Sequence, residues 1–535
     1  MKKSIFASAI AMMVAFPAFS QGLNKEITIE KEIVPEQRAA TRMQVTHNVL
    51  APQITRQNLK FSSAGVNATL SPYIMTLDPA FTGNAVNPSP YRGYAAIGYF
   101  PAYNLGASAG YRFIDNDRTF LGAWAQFDGF SYNRTSVTSP EDKTKVSDNA
   151  LRAGADFARM ITDNGKLSVN IDLGYGKSKA EYNTYGAVST TLGNIKAGWT
   201  AGDQRMNYHI DAYGGFLSNS TADKLQYTPG ETTFGGSVGA EFCGVALDLE
   251  AEFARFSHES HTIADGATRG AVALKPSYTY RTAKTSLKVG LSADISVNSG
   301  KKFHVAPDVR LDVRPDDIFG FYISAVGGTK LNSLSSIYNY SHFIAPLYTY
   351  ENSDIPLDLN AGLIFGPFRG GALEIFGGYA IADEWLLPDY NVMNHYDIKA
   401  WHAGARLSYD YRSLLSFKAS VEAAPSSGNK IYFMWRDRAK TVVNISADVH
   451  PIEPLTISAA WELRSGRRTQ AMVGEVLTED KLGNVSNLSL GAAYRVSQPF
   501  TIFLRGENLL NKKWDLLAGL PANGICGLAG VSYKF

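Results

Sequence analysis

The chain has 535 residues, with 51 Lys and Arg against 49 Asp and Glu, for a formal net charge of +2. That balance gives no compositional support for a nucleic-acid or polyanion partner. Two cysteines rule out a disulfide framework, and nowhere after residue 20 does an apolar run reach the roughly eighteen residues of a helical membrane span.

Residues 1–20 read as a secretory signal peptide. Lys2 and Lys3 form the charged start, Ile5 to Phe16 an apolar stretch of signal-peptide length, and Ala18-Phe19-Ser20 puts small residues at −3 and −1 before Gln21. Removing it takes two lysines and no acids, leaving 49 of each sign. No Cys follows the cleavage point, so a lipid anchor is not expected. Residues 21–90 form a second segment, periplasmic or folded into a lumen. Gln21–Gln57 is charged, with one β-like run at Glu26–Ile33, and Asn84, Asn87, Pro88 and Pro90 make a turn-rich entry to the first strand.

From Tyr91 the sequence alternates. Leu167, Val169, Ile171, Leu173 and Tyr175 fall on one face, opposite Ser168, Asn170 and Asp172. Leu287, Val289, Leu291, Ala293 and Ile295 alternate with Lys288, Gly290, Ser292 and Asp294. Val305, Val309, Leu311 and Val313 oppose His304, Asp308, Arg310, Asp312 and Arg314, and Leu455, Ile457, Ala459 and Trp461 oppose Thr456, Ser458, Glu462 and Arg464. Strand side chains point to opposite faces at period two, so each run has one apolar and one polar side. Five or six such apolar positions cross a bilayer when the strand is tilted. The fold class expected for residues 91–535 is therefore all-β, a transmembrane antiparallel β-barrel in the outer membrane of a Gram-negative-type cell. Outer-membrane lipid is its solvent on the apolar side.

Connection lengths carry the topology. Counting back from Phe535 places long outer connections at 509–522, 466–483, 424–439, 384–395, 330–354, 258–269, 218–231, 178–188 and 134–145, with short ones near 102 and 298–300. Short periplasmic turns fall near 497, 451, 412, 367, 315, 283, 243, 203, 164 and 116. Short inner turns with long outer loops are a membrane-barrel trait. The scheme gives about 22 strands, and 16–20 longer ones are also compatible.

The chain ends Ala529-Gly-Val531-Ser-Tyr533-Lys-Phe535, a terminal aromatic with Tyr and Val at alternate positions before it. This resembles the signal read by the barrel-assembly machinery, which makes Val531, Tyr533 and Phe535 the expected assembly signal. Upstream, Phe500 to Asn508-Leu-Leu-Asn511-Lys-Lys-Trp514 resembles the closing segment of TonB-dependent receptors over about fifty residues. The resemblance implies a large transport barrel. Such receptors carry an N-terminal plug of well over one hundred residues; only about seventy stand between Gln21 and the first barrel strand, so the chain is expected to lack that plug. A segment such as Glu26–Ile33 could still add to a partner's sheet edge, which makes residues 21–57 the candidate contact for a periplasmic partner.

If the apolar face meets lipid, Lys288, Asp294, Asp308, Arg310, Asp312, Arg314, Arg406, Asp410, Lys418, Glu422, Glu462 and Arg464 face the lumen. Their signs are interleaved, as in a self-neutralised wall; a selective pore would gather one sign at a constriction. Tyr338, Tyr340, Tyr348 and Tyr350 are expected to belong to an interfacial aromatic girdle. His258 and His261 lack zinc-protease spacing, Cys243 and Cys526 are placed too far apart to pair, and no nucleophile elbow or phosphate loop occurs. No enzyme, metal or cofactor is expected. Two functions stay open: an outer-membrane transport or channel protein, and a non-transporting barrel scaffold in an envelope complex. For so wide a barrel without a plug, residues 21–90, inward-folding outer loops or a partner must narrow the lumen.

Overall fold

A computed structural model describes residues 91–535 apart from 102, 142, 182–185, 204, 223–227, 258–266, 346–349, 369, 390–391, 425–438 and 474–475. The expected signal peptide, segment 21–90 with its Glu26–Ile33 run, the His258 and His261 pair and Tyr348 lie outside the described residues.

The strands open with β1 (Gly93–Phe100), β2 (Asn104–Asp115), β3 (Thr119–Thr135), β4 (Lys143–Thr162), β5 (Gly165–Ala180), β6 (Ala187–Gly202), β7 (Met206–Thr221) and β8 (Gly230–Phe242). They continue with β9 (Val245–Ser257), β10 (Thr268–Arg281), β11 (Thr285–Val297), β12 (Phe303–Val313), β13 (Phe319–Lys330), β14 (Ser353–Phe368), β15 (Gly371–Asp389) and β16 (Val392–Tyr411). Then come β17 (Leu415–Ala423), β18 (Thr441–Ile452), β19 (Leu455–Ser465), β22 (Val485–Arg495), β23 (Phe500–Glu507) and β26 (Cys526–Lys534). Two small hairpins sit in connections: β20 (Arg468–Val473) with β21 (Val476–Lys481), and β24 (Asp515–Leu517) with β25 (Leu520–Pro521). Among the described residues one short helix, α1 (Leu334–Tyr340), lies between β13 and β14.

Twenty-two strands form one sheet, each antiparallel to its neighbours in chain order, and β26 pairs with β1 to close it. The expected turn positions fall at junctions between strands, so the strand count read from parity is the one observed. Closure removes free edges, the condition for satisfying backbone groups in lipid. At the seam, Tyr94 to Tyr99 pair with Lys534 to Ala529. The Phe535 carbonyl accepts from the amides of Arg92 (2.8 Å) and Gly93 (2.7 Å). A Cβ at Gly93 would stand 2.4 Å from the Phe535 ring, so only glycine lets that ring lie over the seam.

Burial is inside out. Val289, Leu291 and Ile295 are 49%, 41% and 53% exposed, while Ser292 and Asp294 between them are 1% exposed. Registers Val289↔Val309 and Asp294↔His304 carry the alternation from β11 to β12. A water-soluble barrel would do the reverse; an apolar surround stabilises this one.

Strand length decides where the wall stands highest. β4 and β16 have 20 residues and β1 has 8. Twenty tilted residues rise about 48 Å, well beyond a hydrocarbon core of roughly 30 Å. The expected outer loop at 384–395 is therefore a correction: the β15–β16 ladder runs on to Asp389↔Val392. A register shift between Ala382 and Trp385 interrupts the ladder, and pairing then resumes from Trp385↔Tyr396 to Asp389↔Val392.

The opposite end is held by tight turns. Asp203 accepts from the amides of Arg205 (2.7 Å) and Met206 (2.9 Å), and Asp316 from those of Ile318 (2.8 Å) and Phe319 (2.6 Å). These donors favour the carboxylate and hold both aspartates below their usual range. A depressed pKa adds turn stability above the unfolded value, lost as pH falls through the folded one. Titrating the Met206 and Phe319 amide resonances should give midpoints below the ordinary aspartate value of about 3.9; midpoints at or above it would contradict the turn geometry.

Candidate functional site at the barrel mouth

The charged residues expected on the polar face are spread around the wall and not gathered into one site. Lys288 Nζ meets Asp308 Oδ2 at 2.6 Å between β11 and β12, and Arg310 pairs with Asp312 at 2.8 Å along β12. Arg406 pairs with Glu374 (3.2 Å), Glu422 with His402 (3.0 Å), and Arg464 with Glu462. Lys418 stands in register with Ser408 and Ser446. Arg314 and Asp410 lie at the short-turn end, their amides bonded to Lys284 and Gly370 carbonyls. Signs are interleaved as expected, and pairing runs mostly across strands, with Arg310–Asp312 and Arg464–Glu462 pairing along a strand at i,i+2. Asp294 differs: fully buried, it accepts from Ser292 Oγ (2.6 Å) and the Thr329 amide (2.7 Å), with His304 at 3.7 Å.

The residues that do converge belong to the connections at the long-loop end. The β13–β14 connection starts and returns on neighbouring strands, and its base is tied. Asn332 Nδ2 donates to Ser353 Oγ (2.8 Å) and the Glu351 carbonyl, and the Asn352 amide donates to Ser299 Oγ at 2.6 Å. The short connection near 298–300 thus serves as the ledge on which this base rests.

From there the connection reaches strands five to nine positions away around the barrel. Ser333 caps α1 by accepting from the Ser336 amide (3.1 Å). Glu231 on β8 accepts from the Leu334 amide (2.5 Å) and from Ser335 Oγ (2.8 Å), supplying acceptors for amides that a helix start leaves open. Beyond the helix, His342 Nδ1 lies 2.8 Å from Asp148 Oδ2 on β4, with both side chains buried. The His342 carbonyl accepts from Ser178 Oγ on β5 at 2.7 Å. Tyr338 stacks on the His342 ring at 4.2 Å between centroids, and its hydroxyl lies where a side chain at Gly176 would begin, 2.0 Å from an ideal Cβ.

This corrects the girdle expectation for the tyrosines. Tyr338 is turned inward by α1, and burial pushes its phenol above the ordinary range. Tyr350 is buried and its hydroxyl accepts from the Met393 amide at 3.2 Å, and Tyr340 packs against the same cluster. A helical turn resets side-chain direction, which strand parity cannot anticipate.

The second converging element is the β23–β26 connection. Asp515, fully buried, accepts from Ser136 Oγ (2.7 Å), the Val137 amide (2.9 Å), the Thr138 amide (2.9 Å) and Thr138 Oγ1 (2.8 Å). Arg134 reaches the carbonyls of Asn511 and Lys512, Arg467 that of Asp515, and Tyr132 that of Pro521. Asn508 adopts a left-handed φ of 47° and bonds Lys512 twice, through N–H to Oδ1 and Nδ2 to the carbonyl.

Both connections end in one apolar cluster. Ile337, Phe343, Ile344 and Tyr350 from the first meet Leu517 and Leu520 from the second, above Phe130, Val146 and Ala180 of β3–β5 and Met393 of β16. Strands from widely separated parts of the barrel are thus joined over its mouth.

No family model and no curated protein matches the chain. Solved structures do. The FrpB iron transporter of Neisseria meningitidis superposes with a TM-score of 0.61 at 12% identity, covering 83% of this chain and 81% of that one. For the copper transporter OprC the TM-score is 0.59 at 12% identity, over 83% and 81%. A mutant ferric enterobactin receptor of Pseudomonas aeruginosa gives 0.58 at 11%, over 83% and 80%. The chain shares the β-barrel fold of these proteins. At such identities the fold is what is shared. Within that barrel, the Asn508–Trp514 motif serves the architecture, since Asn508 closes the turn that carries Asp515 into place.

The sequence does not single out Asp148, Ser178 or Glu231; Ser178 and Glu231 fall at the edges of the expected outer connections 178–188 and 218–231, and the structure puts all three residues on strands. Their partners Leu334 and His342 come from far along the chain, and no sequence signal joins them.

Proposed function

We propose that this chain is an outer-membrane transport barrel of the TonB-dependent receptor type whose mouth is closed by its own outer connections. The observation that carries the reading is the β13–β14 connection bonded across the mouth to β4, β5 and β8. Its neighbours in fold are named as copper and iron transporters and a ferric enterobactin receptor, which favours a conduit for solutes too large for simple porins. In this reading the polar face, with Lys288, Asp294, Asp308, Arg310, Asp312, Arg314, Arg406, Asp410, Glu462 and Arg464, lines the lumen. The long-connection end faces outward, and closure is supplied there. Residues 21–57 would meet a periplasmic partner. Cells carrying the full chain should accumulate a size-graded series of polar solutes or chelates that cells without it exclude. No difference for any of them would favour the second reading, a barrel scaffold, for which a permanently shut mouth suffices.

The same proposal assigns Val531, Tyr533 and Phe535 as the assembly signal. Phe535 lies over the β1–β26 seam, stacked on Tyr533 (6.3 Å) and Tyr111 (6.1 Å). Removing Phe535 should cut the yield of heat-modifiable folded barrel roughly tenfold in cells while refolding in detergent is little changed. Equal losses in both settings would make the residue a seam element only.

A further inference from the structure

Beneath the β23–β26 connection the barrel wall is hollowed into a small recess. Its wall belongs to the sheet, where Asn104 on β2 stands in register with Phe130 on β3, and Glu507 on β23 with Cys526 on β26. Its roof is the connection, through Leu516, Ala522 and Asn523. The enclosed cavity is about 40 Å³, and the space out to its opening about 450 Å³. The first has room for roughly three waters or a pair of hydroxyls, and the second lies in the roughly 300–1,000 Å³ range of small-molecule sites.

The amides here are of two kinds. Asn508 is spent on the fold: its Nδ2 donates to the carbonyls of Lys512 (3.0 Å) and Asn523 (2.9 Å), and its Oδ1 accepts from the Lys512 amide. Asn487 Oδ1 accepts from the Asn508 amide at 2.8 Å, which fixes the carboxamide and leaves Nδ2 without an acceptor among the described residues. Asn104 and Asn523 make no side-chain hydrogen bond among the described residues, although Asn104 is only 6% exposed. A carboxamide buried to that degree is ordinarily bonded, and Asn104 has room for partners only across the recess.

The set of groups selects a chemistry. A carboxamide offers two donors and one acceptor, and hydroxyl groups, which both donate and accept, complement it. Glu507 pairs with Arg505 two residues earlier on β23, so the recess is close to neutral and favours neither a free cation nor a free anion. Beside the polar groups, Phe130, Leu516 and Ala522 supply apolar surface. A sugar ring presents both characters, hydroxyls around its edge and C–H groups on its face.

We propose that this recess is a saccharide site that takes the edge of one hexose ring. Asn104, Asn487 and Asn523 bond its hydroxyls, Glu507 accepts from one of them, and the C–H face lies against Phe130 and Leu516. A free sugar and the terminal unit of a surface glycan share that chemistry. The site does not rest on the transport reading, since a scaffold that binds a glycan needs the same groups.

Saturation-transfer NMR on the full chain in nanodiscs free of glycolipid tests the site. Glucose, galactose, mannose and N-acetylglucosamine probe free sugars, and oligosaccharides released from lipopolysaccharide probe a surface glycan. At least one of them should bind. Asn104→Leu, which keeps the size of the side chain and breaks no hydrogen bond, should weaken that binding at least tenfold. Asn523→Ala, on the roof, should weaken it severalfold and serves if the wall variant does not fold. Acetate and tetramethylammonium, a simple anion and cation, should give no transfer. Transfer to a free hexose assigns the first source, and transfer to the oligosaccharides alone the second. The inference is overturned if no saccharide binds, if both variants bind as the parent does, or if acetate or tetramethylammonium binds in place of the sugars. Solute uptake is scored separately, so a failed titration leaves the transport reading standing.

Discussion

Replacing Leu334–Ala345 with a short Gly-Ser linker should convert a silent barrel into one that passes steady current in planar bilayers. The segment supplies the groups that meet Glu231, Asp148 and Ser178 across the mouth and several members of the apolar cluster there. Its removal leaves the strand ladders untouched, because β13 and β14 pair through Val326↔Asp358 and beyond without it. A 22-stranded barrel is wider than the 16–18-stranded porins that hold an aqueous channel, so steps at least as large as theirs are expected. Two results would count against the closure reading: steady current from the full chain, or silence from the shortened one.

Asp515→Ala should have the next largest effect, and a local one. The carboxylate is wholly buried and accepts from the Val137 and Thr138 amides and from two hydroxyls. Alanine leaves these partly buried donors without their acceptor, at a cost of about 3 kcal/mol, since a buried donor left unmade costs roughly 1–3. If that cost is felt as opening of the connection, the open population rises by about two orders of magnitude, and native-state proteolysis tracks that population. Trypsin should then cut after the exposed Lys512 or Lys513 in the variant and spare the parent. Asp515→Asn keeps an acceptor of the same shape and should fall between them. Equal cleavage of all three would show that Asp515 does not hold the connection.

These predictions concern residues that were visible in the sequence to very different degrees. Period-two alternation across Leu287–Ile295 and Leu455–Leu463 specified strands with one apolar face, and turn parity from Phe535 back to Tyr91 fixed their number. Both are local properties: side-chain direction along a strand depends only on residue spacing, and an even barrel follows from adding hairpins. The expected outer loop at 384–395 failed because composition marks polarity and not pairing; the β15–β16 ladder resumes beyond a register shift at Ala382/Trp385 and runs to Asp389↔Val392. The tyrosines at 338 and 350 were misplaced because one helical turn changes which way a side chain points.

The wall of the barrel was therefore set by the sequence itself, residue by residue, since lipid on one side and polar groups on the other select strands of a single parity. The closed mouth was decided only by the tertiary structure. His342 meets Asp148 across 194 residues, and Val137 meets Asp515 across 378. Neither meeting follows from local pattern; each exists because closing the sheet brings distant strand ends around one opening, where their connections bury apolar side chains together.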